Sequence, residues 1–323
     1  MPYFIMFVFL LVIIFIFISG GTGKKINLNK ELIIKYKELA LNIMNQNITM
    51  IKNERRRYVL VNILTIFSLV GTFIFLTFCF KNIIYIIPVI IFIVLLIYLR
   101  TRNTKQVLYD IILPNLLKSY NNEIQYSHSL GISSRTYSEA RFEYYDRFHS
   151  EDLIKGKINN CEYEMSEVHT ERRHTDKDGH THYTTIFRGT FAKVNLDKNF
   201  KSSINIVNNR IKLFSRDNYI TIDNEEFEKI FDVFTTDKIL AMRLLSPDVT
   251  TKMIDLYKNT GIYFEIKIVD NIMYIRFYTS SIMELSFSNT EKEAEQLARS
   301  IALLDSVFSI MNNFIAEIER MEM

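Results

Sequence analysis

The sequence predicts an α+β membrane protein: N-terminal transmembrane helices, then a cytoplasmic antiparallel β-sheet domain with flanking helices and a long amphipathic C-terminal helix. Three observations predict it. Apolar residues crowd into the first hundred of 323 positions, in runs of the length that crosses a bilayer. After about residue 120 the pattern changes to short strand-like runs broken by Asp-Gly, Asn-Asn and Asp-Asn pairs. The chain then ends on a helical repeat of large apolar residues.

Residues 1–19 are expected to form an N-terminal transmembrane anchor. The run PYFIMFVFLLVIIFIFIS carries no charge, no basic segment precedes it and no small-residue cleavage site follows, so an uncleaved anchor is favoured over a signal peptide. The following IFISGGTGKK imitates a phosphate-binding loop but fails it: Ile18 stands at the first Gly position and Lys25 at the hydroxyl position. Residues 20–57 are expected to be a cytoplasmic amphipathic helix, with Leu32, Ile33, Tyr36, Leu39, Ala40, Ile43 and Met44 at helical spacing.

Residues 58–99 hold two apolar runs separated only by Lys81 and Asn82, a transmembrane helical hairpin. Residues 100–125 continue as a juxtamembrane helix that Pro114 should kink or end. The two flanking helices either run antiparallel as a stalk of about 40 Å or pack on the domain. Basic residues bracket the hairpin on one side: Arg55, Arg56 and Arg57 before it, Arg100, Arg102 and Lys105 after it. That bias puts the flanks and everything beyond them in the cytoplasm. The same six side chains are candidate lipid-headgroup contacts, at about 1 kcal/mol each near an anionic surface. Ion and substrate pathways usually need buried ionisable groups. The three spans contain none, which points to anchoring in the lipid bilayer rather than transport.

Residues 126–323 are expected to be one cytoplasmic α+β domain. Segments 155–173 and 181–196 flank Asp178-Gly179 as a hairpin; 204–214 predicts a second around Asn208-Asn209, and 262–279 a third around Asp270-Asn271. Between them lie a short helix, a strand and a helix opening at Ser246-Pro247-Asp248. In the last helix Thr290 and Glu293 fit a capping box. Leu297, Ile301, Leu304, Phe308, Met311, Ile315 and Ile318 repeat with alternating spacings of four and three. Val307 and Phe314 widen that stripe, which favours a helix lying on its own sheet.

Chemistry is sparse. The net charge of +3 is too small for a polyanion partner, and aromatic and basic residues do not interleave, so no nucleic acid is expected. Cys79 and Cys161 suggest a reducing compartment rather than a disulfide framework. Ser246 has no neighbouring His, and the acidic run Asp223, Glu225, Glu226 and Glu228 suits the start of a helix. No catalytic residue and no cofactor is assigned. The exception to this sparseness is HTERRHTDKDGHTH (169–182). A three-residue loop Lys177–Gly179 puts His174, His180 and His182 on one strand face, a candidate zinc set that lacks a fourth ligand. A two-residue loop Asp178-Gly179 turns His174 away. Otherwise the stretch is the tip of a polar hairpin.

YDRFHSEDLIKGKINNCEYEMSEVHT (145–170), FRGTFAKVNLDKNFKSS (187–203) and EEFEKIFDVFTTDKILAMRLLSP (225–247) occur in that order. Together they resemble bacterial membrane proteins of the domain-of-unknown-function family 3137, over roughly 50–320. Phe187-Arg188-Gly189 with Phe191, and Asp237 to Pro247, carry the resemblance most specifically. It implies a transmembrane hairpin followed by a cytoplasmic α+β domain, and a LemA-family membrane protein as a partner. It transfers no catalytic residue. The first apolar run departs from the family pattern, as a third anchor or a mis-assigned start. The expected function is a membrane-anchored, non-catalytic binding or scaffolding module, with a membrane-bound zinc-dependent hydrolase as the alternative. A channel or transporter component would require a homo-oligomer.

Overall fold

A computed structural model describes residues 30–78, 107–177, 179–211, 217–279 and 289–321. The expected first anchor, the second arm of the transmembrane hairpin, Cys79, Arg100, Arg102 and Lys105 lie outside these residues.

Helix α1 (Lys30–Gln46) turns Tyr36, Ala40, Ile43 and Met44 inward at the expected spacing. Asn47 interrupts the chain, its side-chain amide donating to the Ile43 carbonyl. Helix α2 (Ile48–Phe78) then runs for 31 residues without a break, straight through the boundary expected at 57/58. A π turn (Leu108–Ile112) precedes α3 (Leu113–Tyr120), with the Leu113 N–H donating to the Leu108 carbonyl. Pro114 has no N–H and its ring crowds the preceding turn. The helix therefore passes through Pro114 by widening one turn instead of ending there.

Among the described residues, seven strands form one antiparallel sheet ordered β1-β2-β3-β4-β6-β5, with β7 against β4. Strand β1 is Gln125–Ser127, and the short helix α4 (Ser134–Glu139) follows it. Strands β2 (Arg147–Ile158) and β3 (Cys161–Thr175) join through Asn159-Asn160, with Asn159 left-handed at φ 52°. That turn splits the stretch expected to be one strand over 155–173. Strand β4 (Thr181–Asn208) is the centre of the sheet: Phe191 is registered to Ser166 of β3 and to Arg276 of β7. After β5 (Tyr219–Ile220) come α5 (Glu225–Glu228), β6 (Phe231–Thr235), α6 (Lys238–Leu244) and α7 (Pro247–Thr260).

One of the expected hairpins is corrected, and another holds. Ile204–Asn208 pair with Phe231–Thr235 of β6, and Ile204–Val207 pair on the other edge with Glu265–Ile268 of β7, while 212–214 of the expected second arm lie outside the described residues. Strand β7 (Tyr263–Tyr278) pairs with β4 on both sides of Asp270 and turns back on itself at Asp270-Asn271, the expected third hairpin: the Phe264 and Phe277 rings lie 5.5 Å apart, and Glu265 meets Arg276. Asp270 is left-handed at φ 54°, as the turn needs, and residues opposite one another on the two arms point to one face. Phe264, Ile266 and Ile268 before it and Met273, Ile275 and Phe277 after it therefore share the main core.

Helix α8 (Thr290–Arg320) lies in that core, with Leu297, Ile301, Leu304, Val307, Met311, Phe314 and Ile315 buried. By length and composition it is apolar enough to cross a membrane, but 61% of that stretch is buried in the protein. Its cap is corrected too. Asn289, not Thr290, accepts from the Lys292 N–H, while Thr290 and the fully buried Glu293 both receive the guanidinium of Arg55 on α2. The described flanks of the expected hairpin do not stand off as a stalk: α1, Ile51, the π turn and α3 share the same core. On the opposite face a smaller cluster, Tyr137, Val168, Phe187, Phe191 and Tyr274, is covered by the segment around α4.

Candidate functional site

The histidine hairpin adopts the three-residue loop. His174 is registered to His182, and the Asp176 and His180 backbones bond each other. Asp176 Oδ1 also accepts from the His180 N–H at 2.8 Å, and Gly179 is left-handed at φ 82°. Alternation then puts His180 on the face of His174 and His182. The rings of His174 and His182 lie 6.3 Å apart, centroid to centroid, and all three side chains are exposed. His169 is elsewhere, registered to His149 and bonded to Thr185. Of the basic residues expected at lipid headgroups, Arg56 and Arg57 are exposed. Arg55 leaves that set, because its charge is neutralised inside the fold by Glu293 at 2.5 Å.

Two charged constellations escaped the sequence reading. The first is Arg276 on β7, 4% exposed, bound by Glu265 on the other arm of β7 and by Glu143 after α4. Tyr137 accepts from Arg276 at 3.0 Å and donates to Glu143 at 2.6 Å, while Phe142 lies over the guanidinium at 4.0 Å. Burial works to lower the Arg276 pKa, and Glu265, Tyr137, Tyr278 and Glu143 together more than reverse it, so the group stays charged. Among the described residues, none of this knot's side-chain atoms is buried without a hydrogen-bond partner. It clamps the α4 segment to the sheet. Charged residues inside the apolar runs YFEIKI and IMYIRFY were its signal in the sequence.

The second centres on Asp152. Between Glu151 and Ile154 the β2–β3 register slips, and Asp152 sits in this bulge at φ 58°, 5% exposed. A non-glycine residue held left-handed marks a place where the fold imposes strain, and such places cluster at functional sites. Asp152 Oδ1 accepts from the Tyr126 hydroxyl at 2.5 Å and meets His128 Nδ1 at 2.7 Å. His128 stacks on Tyr109 of the π turn at 3.9 Å. Its pKa is raised, chiefly by the hydrogen bond to Asp152, and burial only partly opposes this. The Tyr126 phenol is pushed up by burial first and by Asp152 second.

Glu151 and Glu167 face each other across β2–β3, and Glu167 faces Thr190 across β3–β4. One carboxylate oxygen from each of Glu151, Asp152 and Glu167 falls within 4.8 Å of the others. Thr190 is 3% exposed, and its hydroxyl has no hydrogen-bond partner among the described residues. A cavity of about 10 Å³ lies among Asp152, Glu167, Thr190 and Leu304. Nothing in the sequence pattern pointed here, because a bulge and two strand registers create the grouping.

The residues that carry the family resemblance do structural work. Phe187 and Phe191 are fully buried beside Tyr137, and a Cβ at Gly189 would run into the Phe277 carbonyl of β7. Asp237 caps α6 through the Leu240 N–H, and Pro247 opens α7. Comparison with curated proteins gives no match. Among solved structures, the crystal structure of the mycobacterial trehalose monomycolate transport factor A, TtfA, aligns over 60% of this chain and 94% of that one, at 10% identity and a TM-score of 0.32. Residues 185–315, from β4 through most of α8, match the family described as "Protein of unknown function (DUF3137)", the family whose signature the sequence resembles.

Proposed function

We propose that this protein is a membrane-anchored, non-catalytic binding or scaffolding module, whose α+β domain sits at the cytoplasmic surface and engages another protein or the inner leaflet. The observation that carries this is the surface of α2. Its base is tied into the domain by Ile51 and Arg55, but beyond Arg57 five large apolar residues face outward. Val59, Leu60, Ile63, Leu64 and Phe67 are 47% to 71% exposed, and no charged residue intervenes between Arg57 and Lys81. In water such a patch drives aggregation; in a bilayer it is an ordinary helix surface. Arg56 and Arg57 at its base are joined in sequence by Arg100, Arg102 and Lys105, the bias of a cytoplasmic flank.

Alkaline carbonate washing of membranes from expressing cells tests the anchor, and the chain should stay in the pellet. A cysteine placed at the exposed Ser309 should react with an impermeant maleimide only after permeabilisation. Protein released by carbonate, or labelled in intact cells, would overturn this reading. Crosslinking in membranes should capture a second protein, with a LemA-family protein as the named expectation. Recovery of uncrosslinked monomer alone would remove the scaffolding role.

One observation favours a second reading, a zinc-dependent hydrolase: the hairpin takes the register that puts His174, His180 and His182 on one face. Zinc at one equivalent, lost in the His174→Ala, His180→Ala, His182→Ala triple variant, would support it. Equal metal content in both proteins would end it.

A further inference from the structure

We propose that Glu151, Asp152 and Glu167, with the hydroxyl of Thr190, form a site for a hard divalent cation of the magnesium, manganese or calcium class. Four features converge on it. Glu151 and Glu167 are directly opposite one another on β2 and β3, which sets two carboxylates side by side on one face of the sheet. Asp152 joins them because the bulge holds it in a left-handed conformation, with its carboxylate turned inward. Both of its bonds to Tyr126 and His128 fall on Oδ1. Thr190, one strand further on and facing Glu167, buries a hydroxyl with no partner among the described residues.

The fourth feature is size. The cavity between Asp152, Glu167 and Thr190 is about 10 Å³, close to the volume that one water or one small ion occupies. Every donor is an oxygen, with no sulfur in the set, so the chemistry selects hard cations over zinc or copper. His128 on Asp152, and His149 with Nε2 3.6 Å from Glu151, serve as orienting groups behind those two carboxylates. The site is separate from the histidine hairpin and from the membrane anchor, so it stands or falls independently of both.

The test is titration of the full chain in detergent, stripped with EDTA, with Mn²⁺ followed by its paramagnetic resonance signal and by calorimetry. One saturable equivalent is expected. Glu167→Gln should weaken it by at least about tenfold, and Tyr126→Phe by about tenfold through loss of orientation. Thr190→Val should weaken it by several fold. The hairpin triple variant should bind Mn²⁺ like the parent. Melting provides the control for folding: Glu167→Gln should melt higher than the parent in EDTA, because the Glu151–Glu167 repulsion is relieved, and should gain nothing from added Mn²⁺. Absence of saturable Mn²⁺, Mg²⁺ or Ca²⁺ binding would overturn the site. So would unchanged affinity in Glu167→Gln, or loss of the metal in the hairpin variant instead.

Discussion

Under α8, the sheet face formed by Met165, Ala192, Ile206, Ile266 and Ile275 meets Leu297, Ile301, Leu304 and Phe314, an apolar surface against an apolar surface. On the other face Val168, Phe187, Phe191 and Tyr274 share their space with Arg276, Glu265 and Glu143. The helix face is held by area, which tolerates sliding. The clamp face is held by a charge knot that is satisfied in one arrangement only. A buried ion pair adds little net stability over a well-packed apolar substitute, yet it is costly to break from one side. The two faces thus divide the work: α8 supplies the bulk of the stability, and Arg276 fixes where the α4 segment sits.

Breaking the knot from one side should have the largest effect. Arg276→Ala strands Glu265 and Glu143 without their cation and should cost about 3–5 kcal/mol in denaturant unfolding. Arg276→Met combined with Glu265→Leu and Glu143→Gln should recover most of that loss, and a triple variant as unstable as the single one would break the comparison. On the helix face Leu304→Ala should cost about 3 kcal/mol by opening a cavity, with no partner substitution able to rescue it. Glu293→Gln weakens the tie between α2 and α8. It should cost about 1–2 kcal/mol, towards the low end for a hydrogen bond to a charged group, because Arg55 is 24% exposed. The smallest effect is expected at the α8 cap, where Asn289→Ala should cost about 1 kcal/mol. Thr290→Ala, by contrast, should leave the cap itself intact.

Features fixed by neighbours in the chain were legible in the sequence. The apolar stripe of α8, the Pro247 start of α7 and the two permitted loops at Gly179 all rest on local spacing, and each has its counterpart in the fold. Features decided by a distant partner were not. Thr290 and Glu293 fit a capping box, but Arg55, 238 positions away from Glu293, takes both side chains and leaves the cap to Asn289. The Asp152 grouping was the least legible. Its members come from β2, β3 and β4, and a single slipped residue brings them together.

The unbroken course of α2 has a mechanical consequence. Ile51 and Arg55 bind one end of this helix into the domain, and the same 31-residue rod carries the apolar surface proposed to enter the bilayer. With no hinge between them, the domain's azimuth about the rod is set by residue count. One residue inserted after Arg57 should turn the domain by about 100° relative to the membrane-facing surface, and about four should nearly restore it. A partner bound at a fixed bearing would sense that phase, so binding that oscillates with insertion length would identify α2 as an indexing shaft and not a tether.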